Sequence, residues 1–248
     1  VRRRDLLIAA LAVSAAAAFP RVARLFGARW EFEPIANLPR FRAVRQDARA
    51  SGNVALIGLE RADPREMALR ASVVEAPCPA LFAPAAGDGA IPVAAFTDYY
   101  CAFCPQVSDR LIGLRDEGAP IRIRWHEWPI LGPRSVVASR AALAAAEQTG
   151  HEALHRYLMR THLPPGPAAL RRLAERFDLD EERFLSDMES EAVTGQLDRS
   201  AAIAAVFGFI GTPSLVIGRT AIMGDVSKQS LLDLIGIEQE MANSDPIC

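Results

Sequence analysis

The hydrophobic positions fall into blocks of different period, and the clearest blocks begin at Ile91. Ile91 to Thr97 is a nearly unbroken apolar run, the pattern of a strand covered on both faces. The segment from Cys101 to Glu117 predicts a helix, with Val107, Leu111 and Leu114 on one face and Gly118-Ala119-Pro120 as its stop. Ile121 to Trp125 alternates strictly between apolar and polar residues and predicts a second strand. Strand, helix and strand in this order make a β-α-β unit.

Pro129 to Pro133 reads as a loop, and about 134 to 206 as a long helical region. That region holds an Ala-rich helix from Val136 to Gln148, a helix from His151 to Arg160, a break at Pro164-Pro165-Gly166 and further helical segments. β-like sequence returns from Thr212 to Ile217, and a short strand from Thr220 to Met223 follows across Gly218-Arg219. Leu231, Leu234 and Ile235 mark the apolar face of a last helix, opened by Ser227 or Asp225 as cap.

The N-terminal third carries weaker patterns. Residues 19–90 are rich in Pro, Gly and Arg, with one short apolar run from Val54 to Leu59. Asp63-Pro64-Arg65-Glu66 predicts a helix start, with Asp as cap, Pro in the first turn and Glu three residues after the cap. Ala83 to Gly89 reads as a linker. In the first eighteen residues Arg2, Arg3 and Arg4 precede an apolar stretch of 13 residues, Leu6 to Ala18, and Ala16-Ala17-Ala18 fits a cleavage site before Phe19. We read residues 1–18 as an export signal, with an uncleaved N-terminal membrane anchor as the alternative. Arg3-Arg4-Asp5-Leu6-Leu7 also resembles a twin-arginine signal, so the Sec and Tat routes both stay open. Export places the mature chain in the periplasm or cell envelope, where disulfides persist.

Composition narrows the function classes. Charged residues make up 23% of the chain and the formal net charge is -2. Lys228 is the sole lysine, and after the first few residues the arginines are scattered among acids. Nucleic acid is therefore not an expected partner, because its electrostatic footprint is clustered positive charge.

The chemistry-bearing pattern is Cys101-Ala102-Phe103-Cys104. Two cysteines three residues apart at a helix start lie close enough to form a disulfide. The unpaired N–H groups of the first turn favour a thiolate there, and the thiolate is the nucleophile. Cys101 is the expected attacking residue, and Cys104, one turn deeper, the resolving one. Asp98, three residues before Cys101, is a candidate to hold or relay a proton for Cys104; the alternative is a carboxylate that caps a turn. A zinc half-site would need further Cys or His ligands at matching spacing, and no second CxxC or CxxH exists. A copper chaperone using Cys101 and Cys104 as soft ligands is a remote alternative.

These residues resemble a known family. Phe96-Thr97-Asp98-Tyr99-Tyr100-Cys101-Ala102-Phe103-Cys104 is similar to the active-site segment of the DsbA-like thioredoxin-fold thiol:disulfide oxidoreductases. Gly211-Thr212-Pro213-Ser214-Leu215-Val216-Ile217-Gly218 resembles their second signature, a loop whose cis proline faces the redox pair, and Pro129-Ile130-Leu131-Gly132 fits as well. The resemblance covers about residues 91–240. It implies an α/β architecture, a thioredoxin fold with an inserted all-helical subdomain. Residues 91–133 and 207–248 form the thioredoxin-like domain, 134–206 the helical insertion, and 19–90 an N-terminal extension of unread structure. It also implies that Thr212 and Pro213 bind the backbone of a substrate peptide, although Pro213 opening a strand has a purely structural reading too. Expected partners are cysteine-containing substrate proteins and a membrane redox partner that recycles the pair; no cofactor is expected. One departure concerns direction. Strongly oxidising members carry a histidine between the cysteines, where this chain has Ala102-Phe103, so a disulfide reductase or isomerase stands beside the oxidase reading.

Cys78 and Cys248 remain, and in an exported chain they are expected to pair; free thiols or a bond to another chain are the alternatives. His151-Glu152-Ala153-Leu154-His155 matches H-E-x-x-H, the helix pattern of zinc proteases, with Glu175 as a candidate third ligand. The competing expectation is two solvated histidines on an exposed face and no metal. His126 and His162 have no partner that the sequence identifies.

Overall fold

The β-α-β unit forms the middle of a six-stranded mixed sheet. The computed structural model describes residues 30–45, 63–83 and 89–248. The expected signal at 1–18, the apolar run from Val54 to Leu59 and most of the 83–89 linker lie outside them. Among the described residues the strands are β1 (Phe32–Ile35), β2 (Leu38–Val44), β3 (Ile91–Thr97), β4 (Ile121–Glu127), β5 (Ser214–Ile217) and β6 (Thr220–Met223). The helices are α1 (Pro64–Glu75), α2 (Pro77–Phe82), α3 (Cys104–Asp116), α4 (Pro133–Thr149), α5 (His151–Arg160), α6 (Pro167–Arg176), α7 (Glu181–Met188), α8 (Glu191–Val206) and α9 (Lys228–Ala242).

The strand order is β1-β2-β6-β5-β3-β4. β3 pairs parallel with β4, from Ile91 opposite Ile121 to Thr97 opposite Glu127. It pairs antiparallel with β5, with Phe96 opposite Ser214. Helices α2 and α9 pack against β3, α3 packs against β4, and six of the seven β3 side chains are buried, as its apolar run predicts. Within 19–90, the described segments supply a β-hairpin and two helices. Asn37 turns the hairpin at φ 63°, a left-handed conformation that asparagine tolerates. β2 then joins β6 in parallel, which extends the sheet.

One helix start is corrected, and the caps of two others are resolved in detail. The helix after β3 begins at Cys104, not Cys101. Pro105 sets this start: it lacks an N–H, so it fits a first turn but not the fifth position of a helix opening at Cys101. At α1, Asp63 accepts from Arg65 N as expected, while Glu66 turns to Arg70 rather than back to the cap. Ser227, not Asp225, caps α9, and Asp225 pairs with Arg110.

Helices α4 to α8 make the helical segment between β4 and β5. Its core rests on small residues: Ala138, Ala141, Ala142, Ala144 and Ala145 of α4 are buried and let α5 and α7 approach closely. Leu154, Leu158 and Phe184 fill the space, and Tyr99, Cys101 and Cys104 belong to the same cluster. The cysteine pair therefore sits at the seam between sheet and helices. No described helix is long and apolar enough to cross a membrane.

Candidate active site

Strand register assembles the site. Phe96 near the end of β3 faces Ser214 at the start of β5, so the loops 98–103 and 211–213 leave the sheet at the same edge. A turn follows β3, in which Cys101 N donates to Asp98 O at 3.1 Å. Cys101 and Cys104 are disulfide-bonded, with Cα atoms 5.4 Å apart. Cys104 N, at the open end of α3, donates to Cys101 Sγ at 3.1 Å. Such a donor stabilises a thiolate on Cys101 when the bond is reduced. Both cysteines are buried, Cys101 at 3% exposure and Cys104 at 0%.

The opposing loop supplies the other wall. Thr212 O lies 3.3 Å from Cys101 Sγ, and the Thr212–Pro213 peptide is cis. Ser214 Oγ donates to Gly211 O at 2.6 Å and Gly224 N to Pro213 O at 2.7 Å, which fastens the loop. Thr212 Oγ1 is buried without a hydrogen-bond partner. Ala102, between the two cysteines, is exposed.

Asp98 is buried, and both of its oxygens are occupied. Oδ1 accepts from Tyr100 N and Ser135 Oγ, each at 2.8 Å; Oδ2 accepts from Ile130 N at 2.9 Å and Leu131 N at 3.0 Å. Burial pushes its carboxyl above the usual range, outweighing the four hydrogen bonds. These contacts tie the turn before Cys101 to the 129–133 loop and α4, and none of them reaches a cysteine. Cys78 and Cys248 are also bonded, with Cα atoms 5.8 Å apart, joining α2 to the C-terminus.

The H-E-x-x-H segment is the largest surprise. His155 is fully buried and His151 only 17% exposed at its side chain, so the expectation of two solvated histidines is corrected. Leu154 and Leu158 already mark that side of α5 as the inner one, and Trp125 packs on the His155 ring at 4.1 Å. Glu152 turns away to Arg115. The acid beside the histidines is Glu127, at the end of β4 and 0% exposed at its side chain. Glu127 Oε1 accepts from Tyr99 Oη at 2.7 Å and lies 2.7 Å from His151 Nε2 and 3.8 Å from His155 Nδ1. Tyr99 Oη is 3.1 Å from His155 Nδ1, and His155 Nε2 is 3.1 Å from Ser108 Oγ, one turn along α3 from Cys104.

Burial opposes ionisation of Glu127, yet the two imidazoles beside it, His151 in hydrogen-bond contact and His155 at 3.8 Å, hold its carboxyl down to about 2. Burial lowers His155, and it raises the Tyr99 hydroxyl together with the adjacent Glu127 charge. Sequence reading missed Glu127, Tyr99 and Ser108. The signal for Glu127 was present: continuing the alternation of Ile121, Ile123 and Trp125 by one step puts it on the same strand face. His126 is buried elsewhere, stacked on Phe96 at 4.6 Å with Nε2 2.9 Å from Leu81 O, and burial lowers it to about 4.

Comparisons with known proteins agree with this geometry. The family model of the DsbA-like thioredoxin domain matches residues 92–236, more than half of the chain. A thioredoxin-like oxidoreductase from Silicibacter pomeroyi is 36% identical, with 60% of this chain and 87% of that one covered and a TM-score of 0.57. The thiol-disulfide exchange protein alpha-DsbA2 from Wolbachia pipientis, at 18% identity, shares the fold with a TM-score of 0.58, covering 71% and 99% of the two chains. The catalytic domain of Proteus mirabilis ScsC does so at 21% identity, 69% and 98% coverage and a TM-score of 0.58. Among curated sequences, the chain is 29% identical over 129 residues to the Na(+)/H(+) antiporter NhaA 3 of Salinispora tropica, covering 51% of this chain and 20% of the antiporter. It thus spans about a fifth of that relative's length. With the family model matched across both the cysteine pair and the proline loop, the chain belongs to the DsbA-like thioredoxin-domain family.

Proposed function

We propose that this protein exchanges disulfide bonds with cysteine-containing proteins of the cell envelope through Cys101 and Cys104. The observation that carries the reading is the setting of Cys101 Sγ, 3.1 Å from the Cys104 amide and 3.3 Å from Thr212 O beside Pro213. In the oxidising direction a substrate thiolate attacks Cys101 Sγ. The Cys101–Cys104 bond breaks, Cys104 leaves as thiolate, and a mixed disulfide forms. A second substrate thiolate then attacks the substrate sulfur of that bond, and Cys101 leaves. The substrate loses two electrons and the pair gains them. The Cys104 amide stabilises the departing Cys101 thiolate, which makes it a better leaving group. Thr212 and Pro213 form the wall against which an extended substrate backbone lies. Asp98 acts by positioning: its four hydrogen bonds hold the turn that presents Cys101.

The absence of histidine at positions 102 and 103 favours a second reading, reductase or isomerase, because the thiolate then lacks a nearby cation. The reduction potential of the couple separates the two. A value near the most oxidising family members supports the oxidase, and one near thioredoxin the reductase or isomerase. A Cys101→Ser variant that keeps full thiol-exchange activity sinks both. On the oxidase reading a membrane redox partner reoxidises the pair. Export by residues 1–18 is part of the same proposal. It is tested by fusing these residues to a reporter active only outside the cytoplasm; a silent reporter sinks it.

A further inference from the structure

We propose that Glu127, His151 and His155 form a binding site for one divalent zinc-like cation, distinct from the cysteine pair. Their ligating atoms lie within 4.8 Å of one another. Two imidazoles and one carboxylate suit zinc by donor type, since calcium and magnesium prefer all-oxygen sets. Tetrahedral zinc with bonds of ~2.0–2.1 Å places its donor atoms roughly 3.4 Å apart. The separations here bracket that value: 2.7 Å from Glu127 Oε1 to His151 Nε2 and 3.8 Å to His155 Nδ1. Tyr99 Oη faces the fourth position, 2.7 Å from Glu127 Oε1 and 3.1 Å from His155 Nδ1.

The surroundings carry the features that orient metal ligands. With His155 Nδ1 as ligand, its Nε2–H has an acceptor ready in Ser108 Oγ at 3.1 Å. Ser139 Oγ, 3.4 Å away, donates to the remaining carboxylate oxygen, Glu127 Oε2. Trp125 stacks over both rings and makes one wall apolar. Among the described residues, the hydrogen-bond and ion-pair partners of the buried Glu127 carboxylate are two imidazoles and the hydroxyls of Tyr99 and Ser139. A bound cation would compensate the buried carboxylate directly. His151 keeps an edge open to solvent as the entry path. The site is otherwise closed and Glu152 is engaged with Arg115, so its role is to clamp α5 to β4 behind α3, not to hydrolyse peptides.

The test uses the full chain with both disulfides intact, so that no thiol competes. Zinc chloride is titrated against a zinc-responsive chelator dye, and X-ray absorption at the zinc edge reads the ligand types. The expected result is uptake of one equivalent, nitrogen and oxygen scattering with two imidazoles, and no sulfur. His151→Ala should weaken binding at least about tenfold, and Ser108→Ala, which removes only the orienting hydroxyl, up to about tenfold. A Cys101→Ser/Cys104→Ser variant should bind zinc undiminished, which keeps this outcome separate from the redox reading. No stoichiometric uptake by the wild-type protein overturns the proposal. So does sulfur in the absorption spectrum, or equal affinity in His151→Ala. If His151→Ala fails to fold, the wild-type absorption spectrum decides alone.

Discussion

The cysteine pair and the polar cluster around Glu127 share one seam, yet they use their chemistry in opposite ways. At the pair, the groups around Cys101 Sγ are backbone: the Cys104 amide on one side and Thr212 O on the other. At the cluster, every contact is side chain to side chain, among Ser108, His155, Tyr99, Glu127 and His151. Backbone donors cannot be lost by substitution, so the pair tolerates varied neighbours such as Ala102 and Phe103. A buried side-chain network depends on every member, because each one left unpaired costs its full desolvation.

The sharpest way to break the contrast is at the pair. Cys101→Ser should reduce thiol exchange by at least about a thousandfold in an insulin-reduction or peptide-oxidation assay, with the fold unchanged. Cys104→Ser should instead accumulate a mixed disulfide, visible on a non-reducing gel. At the cluster, Glu127→Gln removes the charge that both histidines face, and should cost about 3–5 kcal/mol in urea unfolding. A loss below ~1 kcal/mol would mean that the network contributes little.

Removing the second bridge by Cys78→Ser/Cys248→Ser should cost about 2–4 kcal/mol and leave thiol exchange unchanged. Asp98→Asn should cost ~2 kcal/mol, since an amide nitrogen cannot accept from two backbone N–H groups. This loss carries a sign with pH. Because burial raises the folded-state carboxyl, the unfolded chain ionises first as pH rises above the ordinary aspartate range. The stability advantage of wild type over Asp98→Asn should therefore be larger at acid pH, and should shrink as pH rises until the folded-state carboxyl has also ionised. Paired urea melts on either side of that range check the direction. The smallest effect is expected from Phe103→His, which puts a cation beside Cys101. It should raise the reduction potential, about 30 mV for each ~1.4 kcal/mol of thiolate stabilisation, measured against a glutathione buffer.

Much of the fold was legible in short windows. The buried run of β3, the alternation of β4 and the apolar face of α3 needed only period and composition, and so did the cysteine spacing. Pro105 carries the true start of α3, three residues after the position that the cysteine spacing suggests. The hairpin of β1 and β2 stayed unread because its burial comes from pairing with β6, more than 170 residues further on. Two polar residues at helical spacing, such as His151 and His155, have the pattern of a solvated face. They are buried because Trp125 and Glu127 of β4 lie against them.

What the sequence determined by itself was local: which residues open a helix, which stretch can be a covered strand, and where two sulfurs stand three residues apart. These depend on backbone sterics and side-chain period, which act over a few residues. The tertiary structure alone decided what each polar group meets. Asp98 meets the amides of a loop more than thirty residues away, Cys101 meets Thr212 more than a hundred residues away, and Glu127, on a strand, meets two histidines of a helix. Such partners are chosen by sheet register and helix packing, whose energies are shared across the whole core and leave no mark in the neighbouring residues.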